Sequence, residues 1–286
     1  MRRIAFSHRR ASSEARMVLG LVLLLGILFL LIRARGPRPH PNIRQKAQLH
    51  SMDAALELFD NEFKHYPPSE ANDLTGKPYC GVMKLAEVLM GHDLLGFHSE
   101  SVFRCDGLDA TGMVGLYPNG FDKLDPALRG DNLRARKGPY LQAENAKAFR
   151  LVDVYGKGNT GLFPEDVFVL CDTFVQKRPG GKKTGMPILY YKANPLGSAH
   201  KAGDPINICN GADNQILVAL GVPGQARKLH PLSDPNRFYL NTQDLKSLPA
   251  VRPFRPDKFI LVSAGWDGLY GTADDVCNFT WKYRER

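Results

Sequence analysis

Three carboxylates within nine residues, Asp267, Asp274 and Asp275, most constrain what this chain can fold into. They follow the apolar run Phe259 to Val262, are set among Gly265, Gly268 and Gly271, and lead out through Val276 and Phe279. Carboxylates this crowded repel one another unless something positive lies between them. Glycines at this density let the backbone enter the left-handed region and turn its carbonyls inward. Hard oxygen ligands on a flexible loop are what Ca²⁺ takes, six to eight of them at about 2.3–2.6 Å. The competing reading is a solvated Asp-Gly turn. Neither the Asp-x-Asp-x-Asp-Gly order nor the closing Glu of an EF-hand is present.

A second feature divides the chain. Met17 to Ile32 is uncharged and apolar throughout, near the short end of the roughly 17–25 residues of a spanning helix. Arg16 and Arg33 can snorkel and lengthen it. No small-x-small cleavage site follows, which favours an uncleaved anchor over a signal peptide. The net charge of +9 is confined to this end: residues 1–46 carry nine Arg and Lys46 against Glu14 alone. The remainder has 28 basic and 28 acidic side chains, so the basicity belongs to the membrane flanks and nucleic acid is not expected as a partner. The expected organisation is a basic tail at 1–16, a transmembrane anchor at 17–33, a Pro-rich linker at 34–41 and a globular domain at 42–286.

Basic residues balance across the hydrophobic run, so the positive-inside count is a tie. A short basic N-terminus that stays inside, and a calcium loop that fills where free calcium is high, place the body outside the cytoplasm. The expectation is a single-pass inner-membrane protein with a periplasmic C-terminal domain. Cys80, Cys105, Cys171, Cys209 and Cys277 all follow the anchor. They allow two disulfides with one thiol left over, or five reduced and buried thiols.

Along the chain, Gly36-Pro-Arg-Pro-His-Pro41 cannot continue a helix. Asn42 then offers an N-cap with Gln45 at capping-box spacing. Ile43, Met52, Leu56, Phe59 and Phe63 recur at helical spacing, which predicts a helix over about 43–65, stopped by Tyr66-Pro-Pro68. A second amphipathic helix is expected at 81–94, on Val82, Leu85, Leu89 and Leu94. Residues 98–165 are poorly patterned. Val167 to Val175, a Pro-Gly-Gly turn, and Ile188 to Tyr191 read as a hairpin. Residues 193–255 read as a second insertion with a small helix near 213–220. Helices first and antiparallel strands later imply an α+β fold, with an amphipathic helix packed on one face of an antiparallel sheet.

This order of pieces resembles the major (G-type) pseudopilins of type II secretion. The matching pieces are the helix ending in His65-Tyr-Pro67, the Gly81-Val-Met-Lys-Leu-Ala helix start and the Gly138-Pro-Tyr-Leu141 step. To these add Asp172-Thr-Phe followed by Gly185-Met-Pro-Ile-Leu-Tyr-Tyr191, and the loop from Ser263 to Asp275. They cover about 43–95, 137–141, 167–191 and 256–279. The resemblance implies a non-enzymatic structural component in protein transport, with other pseudopilin or secretion-apparatus subunits, or further copies of this chain, as partners. It implies one structural Ca²⁺ held by Asp267, Asp274 and Asp275, with the Ala264 carbonyl and Ser263 adding oxygens. Two features depart from the family: the prepilin cleavage motif is absent, and prolines at 36–41 break what is elsewhere one continuous helix.

Other signals carry less. Gly156-Lys-Gly-Asn-Thr-Gly161 matches a dinucleotide fingerprint, but no helix follows and no βαβ repeat surrounds it. Gly180-Gly-Lys-Lys-Thr184 lacks the order of a phosphate loop. His92 and His98 flank Asp93 at a spacing unsuited to one helical face, and read as surface histidines. Asp106 and Asp109 read as Asx turns. Asn278-Phe-Thr280 is a glycosylation sequon. No nucleophile–base or paired-carboxylate set is legible. The alternative function, an extracytoplasmic hydrolase or binding protein, would need a pocket assembled from 98–165 and 193–255.

Overall fold

The computed structural model describes residues 41–247 and 251–279. The basic tail, the expected anchor at 17–33, the linker up to residue 40 and Thr280 of the sequon lie outside these residues. Pro41 opens helix α1, Pro41–Phe63. Proline suits a first helical turn because its missing N–H has no partner there anyway. Asn42 is therefore inside the helix rather than its cap. Gln45 is fully buried, and its Oε1 accepts from the Thr173 amide at 2.7 Å instead of closing a capping box. Leu49, Met52, Leu56 and Phe59 form the buried stripe, while Ile43 is exposed.

The expectation of a membrane-spanning helix finds no support in the described residues, where no helix is long and apolar enough to cross a membrane. The longest, α1, carries Arg44, Lys46, Asp53, Glu57, Asp60 and Glu62 among its 23 residues, a charge load a spanning helix cannot bury.

Helix α2, Gly81–Met90, is buried on every side, so it is a core helix and not the expected amphipathic one. It ends four residues early, at Gly91, whose φ of 86° is costly for any residue with a Cβ. Its two charges are satisfied internally. Lys84 donates to the carbonyls of Glu70 at 2.9 Å and Asn72 at 3.0 Å, and Glu87 accepts from Tyr79 Oη at 2.7 Å and Ser101 Oγ at 2.5 Å.

The antiparallel strands of the expected α+β fold are divided among several small sheets. The described strands form three two-stranded ribbons and one three-stranded sheet, all antiparallel. The ribbons pair β1, Phe97–His98, with β2, Arg136–Lys137; β3, Ala148–Arg150, with β4, Phe168–Leu170; and β5, Gln176–Lys177, with β6, Lys183–Thr184. The sheet has the order β7-β8-β9, from Leu189–Lys192, Phe259–Ser263 and Val276–Cys277. The expected 167–191 hairpin survives in part, as the Cys171 to Pro187 bridge and the β5-β6 ribbon nearer its turn. Between these two pairings, Asp172 Oδ1 takes the amides of Phe174 at 3.2 Å and Met186 at 3.1 Å, so those donors do not serve a ladder. Away from the turn the two arms part, β4 pairing with β3 and β7 with β8, far along the chain.

Helix α2 packs on β4 and β7, and α1 packs on α2 and β9. The core runs from Leu49 to Cys277, so the chain from Pro41 onward is a compact unit with its own interior. The 98–165 region adds α3, Pro126–Ala135, capped by the Asp125 carboxylate on the Ala127 amide. The 193–255 region adds α4, Pro235–Thr242, and the small helix expected near 213–220, found at 215–218. All five cysteines are free thiols, four of them buried.

Candidate functional site

The acidic loop hangs from the central strand β8, all five of whose residues are buried. Its ends are pinned by adjacent register pairs, Val262 with Cys277 and Ser263 with Val276. Gly265, Gly268 and Gly271 have φ of 65°, 71° and 93°, the left-handed conformations that the glycine pattern anticipates. Gly265 has a second constraint, since a Cβ there would lie 2.3 Å from the Asp274 carbonyl oxygen.

Asp267 and Asp274 are brought together. The Asp267 amide donates to Asp274 Oδ2 at 2.9 Å, Thr272 Oγ1 donates to Asp274 Oδ1 at 2.5 Å, and Asp267 Oδ1 accepts from the Leu269 amide at 2.7 Å. Desolvation first, and then the Asp274 charge, push Asp267 above its ordinary carboxylate range, against the Leu269 hydrogen bond. Asp275 turns inward. Its Oδ2 accepts from the Gly271 amide at 2.8 Å, while its buried Oδ1 has no hydrogen-bond partner. Burial holds this carboxyl well above the usual range, with Asp274 and Asp267 adding to the effect. The same residue lines a cleft of about 530 Å³ between the loop and α1, together with Lys46, His50 and Asp53.

Ser263 and Ala264 are fully buried at the start of the loop. The Ser263 hydroxyl donates to Asp172 Oδ2 at 2.9 Å and accepts from the Gly265 amide at 3.3 Å, so its hydrogen bonds point beneath the loop. Among the described residues no group of three or more His, Cys, Asp or Glu side chains lies close enough to hold a metal. The residues fit a calcium ion in part: two facing carboxylates and one buried, unpartnered carboxylate oxygen are present, and backbone oxygens would have to complete the shell.

No family model, curated protein or solved structure matches this chain.

Two supports of the loop are absent from the sequence reading. Asp172 is completely buried, and desolvation raises it to about 7 against its hydrogen bonds from Ser263, Met186 and Phe174. In the sequence it is one member of a hairpin motif, and nothing there places it under a loop ninety residues away. The other support comes from the 193–255 region. His230 Nδ1 accepts from the Tyr270 amide at 3.3 Å, His230 Nε2 contacts the Gly221 carbonyl at 3.0 Å, and the Leu232 amide donates to the Tyr270 carbonyl at 3.0 Å. Burial pushes His230 down to about 4, so the ring is neutral with Nε2 as donor and Nδ1 as acceptor. Gln176 Nε2 adds a hydrogen bond to the Trp266 carbonyl at 2.9 Å.

The remaining candidates resolve into structural roles. His92 Nε2 lies 2.7 Å from Tyr79 Oη, and its ring stacks on Tyr117 at 4.8 Å. His98 is buried against the edge of the same Tyr117 ring, so neither histidine is the surface residue expected. Asp106 and Asp109 close turns on the amides of Leu108 and Met113. The Asn278 amide bridges Asp53 on α1 and the Leu261 amide on β8, at 2.8 and 2.9 Å.

Proposed function

We propose that the unit from Pro41 onward is a non-enzymatic, pseudopilin-like structural component of a type II secretion-like assembly, with one Ca²⁺ closing its last loop. The observation that carries this reading is the loop itself. Asp267 and Asp274 face each other across a glycine-built turn on the central strand, and Asp275 keeps a buried oxygen without a partner. In this reading Asp267 and Asp274 hold the ion, with Asp275 and the Ala264 carbonyl as the further oxygens that the pseudopilin resemblance supplies. The Ser263 hydroxyl, engaged with Asp172, stands outside the set. The ion's chemistry is purely electrostatic: it neutralises carboxylates that otherwise repel and fastens the loop to β8 and β9. Partners are other secretion subunits or further copies of this chain.

Thermal unfolding of residues 41–286 in calcium and in chelator tests the ion. A ligand at 100 times its dissociation constant adds about 2.7 kcal/mol to the folded state. At roughly 2–4 °C per kcal/mol for a domain of this size, the melting temperature rises by about 5–10 °C. Equal melting in both buffers reduces the loop to an Asp-Gly turn. Cross-linking in the native cell tests the assembly, and a chain that joins neither itself nor a secretion subunit sinks that part.

A further inference from the structure

The two glycine-rich motifs that match no nucleotide site in the sequence lie next to each other in the fold, and a third loop joins them. Gly156 and Pro179 touch closely enough that a Cβ on Gly156 would lie 3.1 Å from the Pro179 ring. On another side of Pro179, a Cβ on Gly224 would lie 3.0 Å from it. The loops 156–162, 178–183 and 222–229 thus meet around Pro179, over a shallow pocket of about 410 Å³ walled by Tyr155, Asn159, Gln225 and Arg227. The third loop is closed on itself by the Val222 amide on the Lys228 carbonyl at 2.9 Å.

Each loop presents cations to solvent: Lys157 on the first, Lys182 and Lys183 on the second, Arg227 and Lys228 on the third. Lys183 also faces Lys177 directly across the β5-β6 ribbon, and like charges placed opposite each other are unfavourable without an anion between them. The acids nearby are few: Asp153 pairs with Lys182 at 2.9 Å, and Glu165 accepts from the Gly158 amide at 2.6 Å. The chain from residue 47 onward is charge-balanced overall, so this concentration is a property of one face. Beside the cations two leucines stand out in solvent, Leu162 at 79% and Leu229 at 61% exposure.

We propose that this three-loop face docks on an anionic lipid surface, its cations against the headgroups and Leu162 and Leu229 dipping into the interface. Lysine clusters next to exposed apolar side chains are what an anionic bilayer attracts, each cation near the surface strengthening binding about fivefold. A protein partner fits less well. Lysine is depleted at protein interfaces, which need a contiguous apolar centre, whereas these leucines stand on separate loops. Docking uses none of the Asp-Gly loop residues and does not depend on the assembly reading.

The test is co-sedimentation of residues 41–286, which contain the whole described core, with vesicles of phosphatidylcholine alone or with 30% phosphatidylserine. Chelator is present throughout, so calcium cannot bridge loop and lipid. Binding is expected only to the phosphatidylserine vesicles, and to fall steeply with salt. The triple variant Lys182→Glu, Lys183→Glu, Arg227→Glu should bind at least a hundredfold more weakly. The pair Leu162→Ser, Leu229→Ser should bind several-fold more weakly with the salt dependence kept. Lys123→Glu with Arg129→Glu, outside the face, should leave binding unchanged; circular dichroism checks that every variant is folded. The proposal is overturned by equal binding to neutral vesicles, by equal loss in the Lys123 and Arg129 variant, or by no vesicle binding at all. Retention on immobilised polyglutamate without vesicle binding would assign an acidic protein instead and would equally overturn it.

Discussion

The hydroxyl of Ser263 donates to the carboxylate of Asp172 across 2.9 Å, joining the end of the central strand to the residue that follows the Cys171–Pro187 bridge. Neither side chain touches water. Asp172 therefore carries the energetic consequence: a carboxyl with an ordinary value of 3.8 is raised to about 7 by its burial. A folded value above the unfolded one contributes stability that is complete below about pH 4 and lost as pH rises through about 7. The span amounts to about 4 kcal/mol as an upper bound, at 1.36 kcal/mol per pH unit. Asp172→Asn keeps an acceptor for the Met186 and Phe174 amides and removes the ionisation. Relative to the parent, it should gain a few kcal/mol at pH 8 and nothing at pH 4. Urea midpoints at the two values measure this, and a pH-independent difference would place the carboxyl's value near normal.

Removing one carboxylate from the facing pair separates repulsion from ion binding. Asp274→Asn should abolish the calcium-dependent rise in melting temperature while melting no lower than the parent in chelator, because the Asp267 charge loses its repelling neighbour. Calorimetry with and without calcium reads both halves. A variant that retains the full calcium response would remove Asp274 from the ligand set.

Gly265 is required by geometry and not by chemistry. Alanine there costs about 1–2 kcal/mol for the left-handed backbone alone, and its Cβ would press on the Asp274 carbonyl at 2.3 Å. Gly265→Ala should lose more than 2 kcal/mol in denaturant titration, and the calcium response should weaken with it. Gly76→Ala, at a φ of 78° with nothing within 4 Å, serves as the control and should show the backbone cost without the clash.

His230 supplies the acceptor for a buried amide. His230→Leu fills a similar space but leaves the Tyr270 N–H unpaired, at a cost of about 1–3 kcal/mol. Hydrogen exchange at Tyr270 should accelerate selectively, with the β7-β8 ladder still protected. Uniform acceleration across the sheet would mean that the 193–255 region supports the core as a whole and not the loop.

The five thiols give an independent check on the interior. Without denaturant only Cys105 should react with a thiol reagent, and slowly, because burial and Asp73 push its thiol up to about 11. Five should react once the chain is unfolded. Fewer than five under non-reducing denaturation would reveal a disulfide.

By itself the sequence determined the local elements whose causes are local. Apolar spacing and the Tyr66-Pro-Pro68 stop gave α1 to within two residues at each end, and glycines at 265, 268 and 271 marked the left-handed turns of the loop. The Asx turns at Asp106 and Asp109 follow from one side chain reaching its own backbone. What needed the tertiary structure was every choice of partner. Val82, Leu85 and Leu89 specify a buried stripe, but whether the far face of α2 is also buried depends on what meets Lys84 and Glu87, and those partners come from separate loops. An alternating strand such as Ile188 to Tyr191 has the same pattern whichever neighbour it takes. It pairs with β8, while β4, the strand before the turn, takes β3 as its partner. Asp172, His230 and the basic face around Pro179 exist as sites only because distant segments converge, and no spacing along the chain encodes that convergence.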